Sequence, residues 1–219
     1  MFALVNKSDN SITKTYSGRR GITIGENQYP QTIFTLWTEA ERNAIDIYTI
    51  EMDNSKFKNE QWYNNTDITY SFDGSKAKGS YGDATAKAHA DVNHVWTQEE
   101  IDDGEAPDGT SEGDAKKDDD GNQLITRGLK YILIKKIKDQ AEGELNKTDW
   151  YVIRKTEEDI AIPSTITTHR KAVRAKQAEM ETAITNASDT PALETLYTYT
   201  EQEDGSVTRP LGELPTLED

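Results

Sequence analysis

Three histidines, His89, His94 and His169, are the imidazole groups available for metal binding or acid–base chemistry. His89 and His94 enclose Asp91 in the spacing His-x-Asp-x-x-His. A metal site needs ligands that converge and that neighbouring side chains hold in place. The surrounding segment is polar, rich in alanine and without a clear helical period, so it favours solvated loop histidines over a metal site.

Aspartates around Gly121 suggest a calcium-binding loop as a second candidate. With Gly121 at the sixth position of an EF-hand loop, Lys116 occupies the first position and Arg127 the twelfth. Both positions require carboxylates, so the sequence excludes an EF-hand. Weak binding of divalent ions by the acidic run is the remaining alternative.

Other residue patterns argue against an enzyme. The chain has no cysteine, which removes disulfides, thiolate catalysis and cysteine-ligated zinc. It has neither a phosphate-binding glycine loop nor the pattern His-Glu-x-x-His. We therefore predict a protein that is not an enzyme, with no cofactor and no bound metal.

Basic residues cluster in one predicted helix, at Arg170, Lys171, Arg174 and Lys176. Such a run usually forms a solvated helix face. It would also suit the docking of an acidic segment, from this chain or from a partner. Arg170 and Arg174 are therefore candidate partner-binding residues.

Alternating residues predict an N-terminal module of antiparallel strands. "FALV" and "ITKTY" flank a polar turn, and "DIYTIEM" reads as a further strand. Thr38 to Glu41 fits a capping box, so a short helix is expected to begin at Glu39. Asp73-Gly74 predicts a two-residue hairpin turn between two alternating runs. Trp37, Trp62 and Tyr63 are this module's candidate partner-binding aromatics, and their exposure on one face would suit stacking on a sugar.

Helical spacing of apolar residues predicts two long helices, over about 127–144 and 165–187. In the second helix, an apolar residue recurs every seven positions, which also fits the seam of an oligomer. The remaining seam positions include His169, Lys176 and Ala183, which is too polar for an autonomous coiled coil. We therefore predict a helical hairpin, followed by a short third helix after Thr190-Pro191. The apolar positions are Leu129, Ile132, Leu133, Ile137 and Ala141 in the first helix, and Ile166, Val173, Met180 and Ala187 in the second.

Between the two helices lies "TDWYVIRK", residues 148–155. Thr148 or Asp149 can cap one helical turn, in which Trp150 and Ile153 are three residues apart and share a face. We expect both to point inward against the first helix, at Leu133 and Ile137, with Arg154 and Lys155 in water. The segment is thus interpreted as the plug of a small core rather than as a binding site.

The net charge of −15 is concentrated in two segments. Residues 97–120 contain eleven acidic residues and two lysines, and residues 201–219 contain six acidic residues and one arginine. Only 34% of the residues are hydrophobic, so we expect small folded parts and solvated acidic segments. This distribution argues against nucleic-acid binding. No stretch approaches the roughly 20 apolar residues of a membrane span, and "MFALVNKSDN" does not resemble a secretory signal.

Several short motifs occur in an order that resembles small tailed-bacteriophage proteins, tail assembly chaperones or tail-fibre-associated proteins. They are "GLKYI" at 128–132, "TDWYVIRK", "AIP" at 161–163 and "THRKAVRA" at 168–175, together with the opening "FALV", "SITKTY" and "YPQTIFTLWTEAERNAIDIY". The resemblance covers roughly residues 1–52 and 125–210, and the acidic stretch looks like an expansion of the family's usual connection. It implies protein binding rather than catalysis.

We therefore predict an α+β protein with four parts. These are a β-rich module with one short helix over 1–95, an acidic linker over 96–124, a helical module over 125–200 and an acidic tail over 201–219. We expect a structural protein of the virion, made in the host cytoplasm, that binds tail or tail-fibre proteins. Association of the helical module with further copies of the chain, as a homo-oligomer, is the second contact considered. A transient assembly chaperone and a carbohydrate-binding receptor module are the alternatives. No nucleic acid or membrane partner is expected.

Overall fold

The computed structural model describes residues 1–217 and divides the chain into two compact units, Met1–Thr85 and Ala86–Asp219. The first is built mainly of strands and the second mainly of helices, so the α+β prediction is confirmed. Within the described residues, no helix combines the length and apolar character needed to cross a membrane.

The first unit contains a five-stranded sheet in the order β2-β1-β5-β8-β7 and two small pairs, β3 with β4 and β6 with β9. The predicted N-terminal hairpin is β1 with β2, and α1 starts at the predicted capping box of Thr38 and Glu41. The elements are β1 (Phe2–Asn6), β2 (Ser11–Tyr16), β3 (Ile22–Ile24), β4 (Asn27–Tyr29), α1 (Glu39–Asn43), β5 (Ile47–Asp53), β6 (Tyr63–Asn64), β7 (Thr69–Phe72), β8 (Ala77–Ser80) and β9 (Thr85–Ala86).

The sheet departs from the predicted antiparallel arrangement because β5 and β8 run parallel. Small residues of β8 permit this close pairing. Ala77 is fully buried, and a Cβ atom on Gly79 would lie 2.7 Å from the Met52 sulfur. The β7–β8 turn also spans residues 73–76 rather than two residues. The Asp73 carboxylate accepts hydrogen bonds from the amides of Ser75 and Lys76, which stabilises the longer turn.

Apolar residues cover both faces of this sheet, as the alternation along β1 shows. Ala3 and Val5 belong to one buried cluster, whereas Phe2 and Leu4 pack against another. Successive strand residues point to opposite faces, so one strand contributes to two cores. The second cluster is closed by the segment around Phe34, whose ring centroid lies 4.6 Å from that of Phe2.

The second unit contains a helical hairpin and several short elements. They are β10 (Val92–Asn93), α2 (Gln98–Asp102), β11 (Ile125–Thr126), α3 (Leu129–Asn146), α4 (Asp149–Glu158), α5 (Ser164–Asn186), α6 (Thr190–Tyr197), β12 (Thr200–Glu201) and β13 (Val207–Thr208).

Residues 92–126 fold as a hydrogen-bonded ribbon, where the acidic composition predicts a solvated linker. β10 pairs with β11, and the ladder continues through isolated bridges between Val95 and Ala115 and between Lys117 and Gln123. The turn residues and local hydrogen bonds give this acidic segment a defined path. Lys116 contributes by pairing with the Glu100 carboxylate and lying over the Trp96 ring. We refer to residues 92–126 as the acidic ribbon.

The α3–α5 hairpin confirms the predicted packing of the two long helices. Lys130 donates to the Thr185 carbonyl, and Lys138 lies 3.6 Å from Glu181, so the helices run antiparallel. Among the predicted apolar positions, Ile132 faces solvent instead of the core. The buried positions are Leu129, Leu133, Ile137 and Ala141 in α3, with Ile166, Val173, Met180 and Ile184 in α5.

The C-terminal residues return to this helical core. Asp189 caps α6 by accepting a hydrogen bond from the Ala192 amide, and β12 pairs with β13. Leu211 is buried and its amide donates to the Leu196 carbonyl. The predicted acidic tail is therefore anchored through Leu211, and its last two residues, 218 and 219, lie outside the described residues.

Candidate functional site

The histidines do not converge on a metal centre. His94 Nε2 lies 2.6 Å from the Thr126 hydroxyl, while His169 is buried in α5 and its Nε2 has no hydrogen-bond partner within residues 1–217. In the same part of the chain, no group of three or more His, Cys, Asp or Glu residues is arranged to hold a metal ion.

The segment Gly-Thr-Ser-Glu-Gly at 109–113 has the spacing of the nucleophile elbow of α/β-hydrolases, a pattern that our sequence predictions pass over. That motif requires a turn between a strand and a helix. Ser111 instead lies in an irregular turn of the acidic ribbon, and its amide donates to Asp114 Oδ2 at 2.8 Å. The structural context therefore does not support an elbow.

The three candidate aromatics of the first unit are packing residues. Trp62 is 3% exposed and Tyr63 is 6% exposed, and Lys58 lies over the Tyr63 ring at 4.4 Å. Trp37 is partly buried and meets Tyr29 edge to face, with ring centroids 6.0 Å apart. The three residues do not form the exposed face that stacking on a sugar requires.

The two candidate arginines of α5 differ in burial. Arg170 is 9% exposed, whereas Arg174 is exposed on the same helix. Arg170 Nη1 lies 2.7 Å from the Leu145 carbonyl, 2.7 Å from the Thr148 hydroxyl and 2.8 Å from Asp149 Oδ1. Arg170 is therefore the residue that joins the end of α3, the start of α4 and the body of α5.

Each contact of Arg170 has an electrostatic reason. The carbonyls of the last helical turn carry partial negative charge, so a cation near Leu145 stabilises the C-terminus of α3. Asp149 lies in the first turn of α4, where a carboxylate is favourable and also pairs with the guanidinium. Thr148 is 1% exposed and needs hydrogen-bond partners for its hydroxyl. Arg170 thus fixes where α4 starts and in which direction it leaves α3.

The α4 helix exposes its apolar residues, and this surface is the candidate functional site. All ten residues of α4 are described and none is buried. Trp150 is 49% exposed and Ile153 is 54% exposed. We call Trp150, Tyr151, Val152, Ile153 and Arg154 the α4 surface.

Three side chains of the α4 surface, those of Trp150, Tyr151 and Arg154, form a stack. The ring centroids of Trp150 and Tyr151 are 3.8 Å apart, and the guanidinium carbon of Arg154 lies 4.7 Å from the Trp150 ring and 5.4 Å from the Tyr151 ring. Arg154 can reach the Trp150 ring because residues four apart are neighbours on a helix. An arginine over aromatic rings is stabilised by the negative potential of their faces. The α4 surface therefore presents an ordered apolar and cationic surface.

The prediction that Trp150 and Ile153 plug the core was wrong. The segment forms a complete ten-residue helix rather than one turn, and Trp150 and Ile153 lie on its exposed surface whereas Leu133 and Ile137 are buried. Trp150 and Ile153 share one face of α4, as the spacing predicted, but both side chains are about half exposed instead of buried. The adjacent Trp-Tyr pair followed by Val-Ile was the available signal for an exposed apolar surface.

Comparisons of the chain with protein-family models, with curated proteins and with solved structures find no match.

Proposed function

We propose that this protein is a non-enzymatic structural protein of a tailed-bacteriophage virion, associated with the tail or tail fibre. It acts as a protein–protein adaptor through the α4 surface. The observation that carries the proposal is the roughly half-exposed pair Trp150 and Ile153, held beside the stacked Tyr151 and Arg154.

The chemistry of the α4 surface suits a protein partner. Tryptophan, tyrosine and arginine are the residues most enriched where binding energy concentrates at protein interfaces. An exposed helical face with anchors three and four residues apart also fits a groove on a partner. Because Arg170 holds the start of α4, the anchors are oriented before binding, which reduces the ordering cost of association.

The resemblance of the motifs in this chain to tail proteins supports the choice of partner. "TDWYVIRK" is one of the motifs that carry this resemblance, and it contains the entire α4 surface. The proposed partner is accordingly a tail or tail-fibre protein that supplies an apolar groove with a carboxylate for Arg154. Trp62 and Tyr63 are buried, which argues against the carbohydrate-binding alternative.

Quantitative mass spectrometry of purified phage particles tests the proposal. We expect the protein in mature particles at a constant ratio to the tail proteins. Its presence in infected cells together with its absence from mature particles would contradict the structural role and favour the transient chaperone.

Replacing Trp150 with alanine should reduce incorporation of the protein into particles while leaving its fold intact. Truncation of an interface tryptophan typically costs about 2 kcal/mol or more of binding free energy, which weakens binding by more than about tenfold. Trp150 is not part of the buried core, so the circular dichroism spectrum and the unfolding midpoint should change little.

Val207→Ala is the matched control, because Val207 is also an exposed apolar residue of the second unit. Particles that carry this variant should contain the normal amount of protein. Equal incorporation of the Trp150→Ala and wild-type proteins would show that the α4 surface does not mediate the contact.

A further inference from the structure

A second candidate site lies in the first unit, where the connection from β2 to β3 forms a hollow on the surface. The hollow is lined by residues 14–23, which include the sequence "SGRRG" at 17–21. This ten-residue lining contains three basic side chains, Lys14, Arg19 and Arg20, and no acidic side chain. In a chain of net charge −15, the lining is a local concentration of positive charge.

These three cations have no carboxylate partner among the described residues. Within residues 1–217, none of them forms an ion pair with a carboxylate. Lys14 lies over the Tyr16 ring at 5.5 Å, while Arg19 and Arg20 are exposed at the tip of the connection. Their hydrogen-bond donors are therefore available to a ligand.

The backbone amides of the connection, whose residues line the hollow, are further donors. Within the described residues, the amides of residues 18–21 donate no hydrogen bond to the chain. Backbone amides and arginine side chains around a concavity are the donors that proteins use for oxyanions.

Two glycines fix the ends of the connection against the core. Gly18 has φ +77, and a Cβ atom there would lie 2.9 Å from the Phe2 ring. A Cβ atom on Gly21 would lie 2.7 Å from the Tyr29 carbonyl oxygen. Gln31 Nε2 also donates to the Gly18 carbonyl at 3.1 Å. The two arginines between these glycines therefore project from a backbone that is already positioned.

We propose that this hollow binds an oxyanion, a phosphate or carboxylate group, held by Arg19, Arg20 and Lys14. The planar guanidinium groups match the paired oxygens of either group, and lysine supplies a further charge. This site is independent of the α4 surface, which lies in the other unit.

Titration of the isotopically labelled full chain, followed by nuclear magnetic resonance, tests this site. Sodium phosphate and sodium citrate are the two probes, and sodium chloride at matched ionic strength is the reference. We expect saturable shifts of the amides of residues 18–21 with at least one probe, and the tighter probe identifies the group. Shifts no larger than those with chloride would overturn the proposal.

The variant Arg19→Ala/Arg20→Ala should weaken binding of the preferred probe by about tenfold or more, since charge-assisted contacts are lost. Its fold should persist because both side chains are exposed, and its spectrum verifies this. Lys171→Ala/Arg174→Ala removes two exposed cations from α5 and is the matched control. Equal weakening by both double variants would indicate a general charge effect and overturn the site.

Discussion

Replacing Arg170 with alanine is expected to lower the free energy of unfolding of the second unit by about 3 kcal/mol. The substitution removes the donor that the Leu145 carbonyl and the buried Thr148 hydroxyl share. It also leaves Asp149 without its cation. Because Arg170 is 9% exposed, water cannot readily replace the lost contacts.

Hydrogen exchange of the full chain, followed in the peptides of α3 and α5, measures the change in the free energy of unfolding of the second unit. Arg174→Ala is the matched control, an exposed arginine one turn further along α5, and should change stability by no more than about 0.5 kcal/mol. Arg170→Lys should fall between the two, since it keeps the charge but loses the planar fork. Equal effects of Arg170→Ala and Arg174→Ala would contradict the structural role of Arg170.

Replacing Gly128 with alanine should destabilise the same unit by about 2–3 kcal/mol. Gly128 is the residue before α3, and a Cβ atom there would lie 2.2 Å from the Ala90 carbonyl oxygen and 2.3 Å from its carbon. The backbone around Ala90 cannot move away freely. The amides of Leu129 and Lys130, in the first turn of α3, donate to the carbonyls of Ala88 and His89.

Gly143→Ala, inside α3, is the control, and its expected effect on stability has the opposite sign. Nothing lies within 4 Å of a Cβ atom at Gly143, and alanine in a helix interior is more stable than glycine by about 0.5–1 kcal/mol. Thermal unfolding followed by circular dichroism should therefore show a lower midpoint for Gly128→Ala and a slightly higher one for Gly143→Ala. A Gly128→Ala midpoint at or above that of wild type would refute the steric account.

Local sequence patterns correctly predicted the helices that bury one side against the protein, and the start of a short helix. The apolar spacing of α3 and α5 identified the hairpin because each helix buries a single stripe. The capping box at Thr38 located α1 because its hydrogen bonds join residues three apart. The parallel pairing of β5 with β8 depends on residues far apart in sequence, and no local pattern in either strand specifies it.

The candidate site was harder to predict because residues of the same type have different roles when one is buried and the other is exposed, and the sequence does not show which is which. The sequence presents Arg170 and Arg174 as equivalent members of one basic cluster, whereas the position where α3 ends decides that Arg170 is buried. For Trp150 and Trp62, the observed burial is the opposite of the predicted burial. The tryptophan expected in a core lies on the surface, and the one expected at a surface lies in a core.

The two ends of the acidic ribbon meet at one place in the second unit. Arg127 pairs with Asp91 at 2.5 Å, and the Gly128 amide donates to the same carboxylate at 2.8 Å. The entropy cost of closing a flexible loop rises only slowly with its length, so a segment between ends that are already joined can be lengthened or shortened with little effect on its anchors. We therefore expect the ribbon to tolerate changes in its length and charge. A domain inserted in place of the ribbon should leave the packing of α3 against α5 unchanged, because the contacts of Asp91 with Arg127 and Gly128 would still join its two ends.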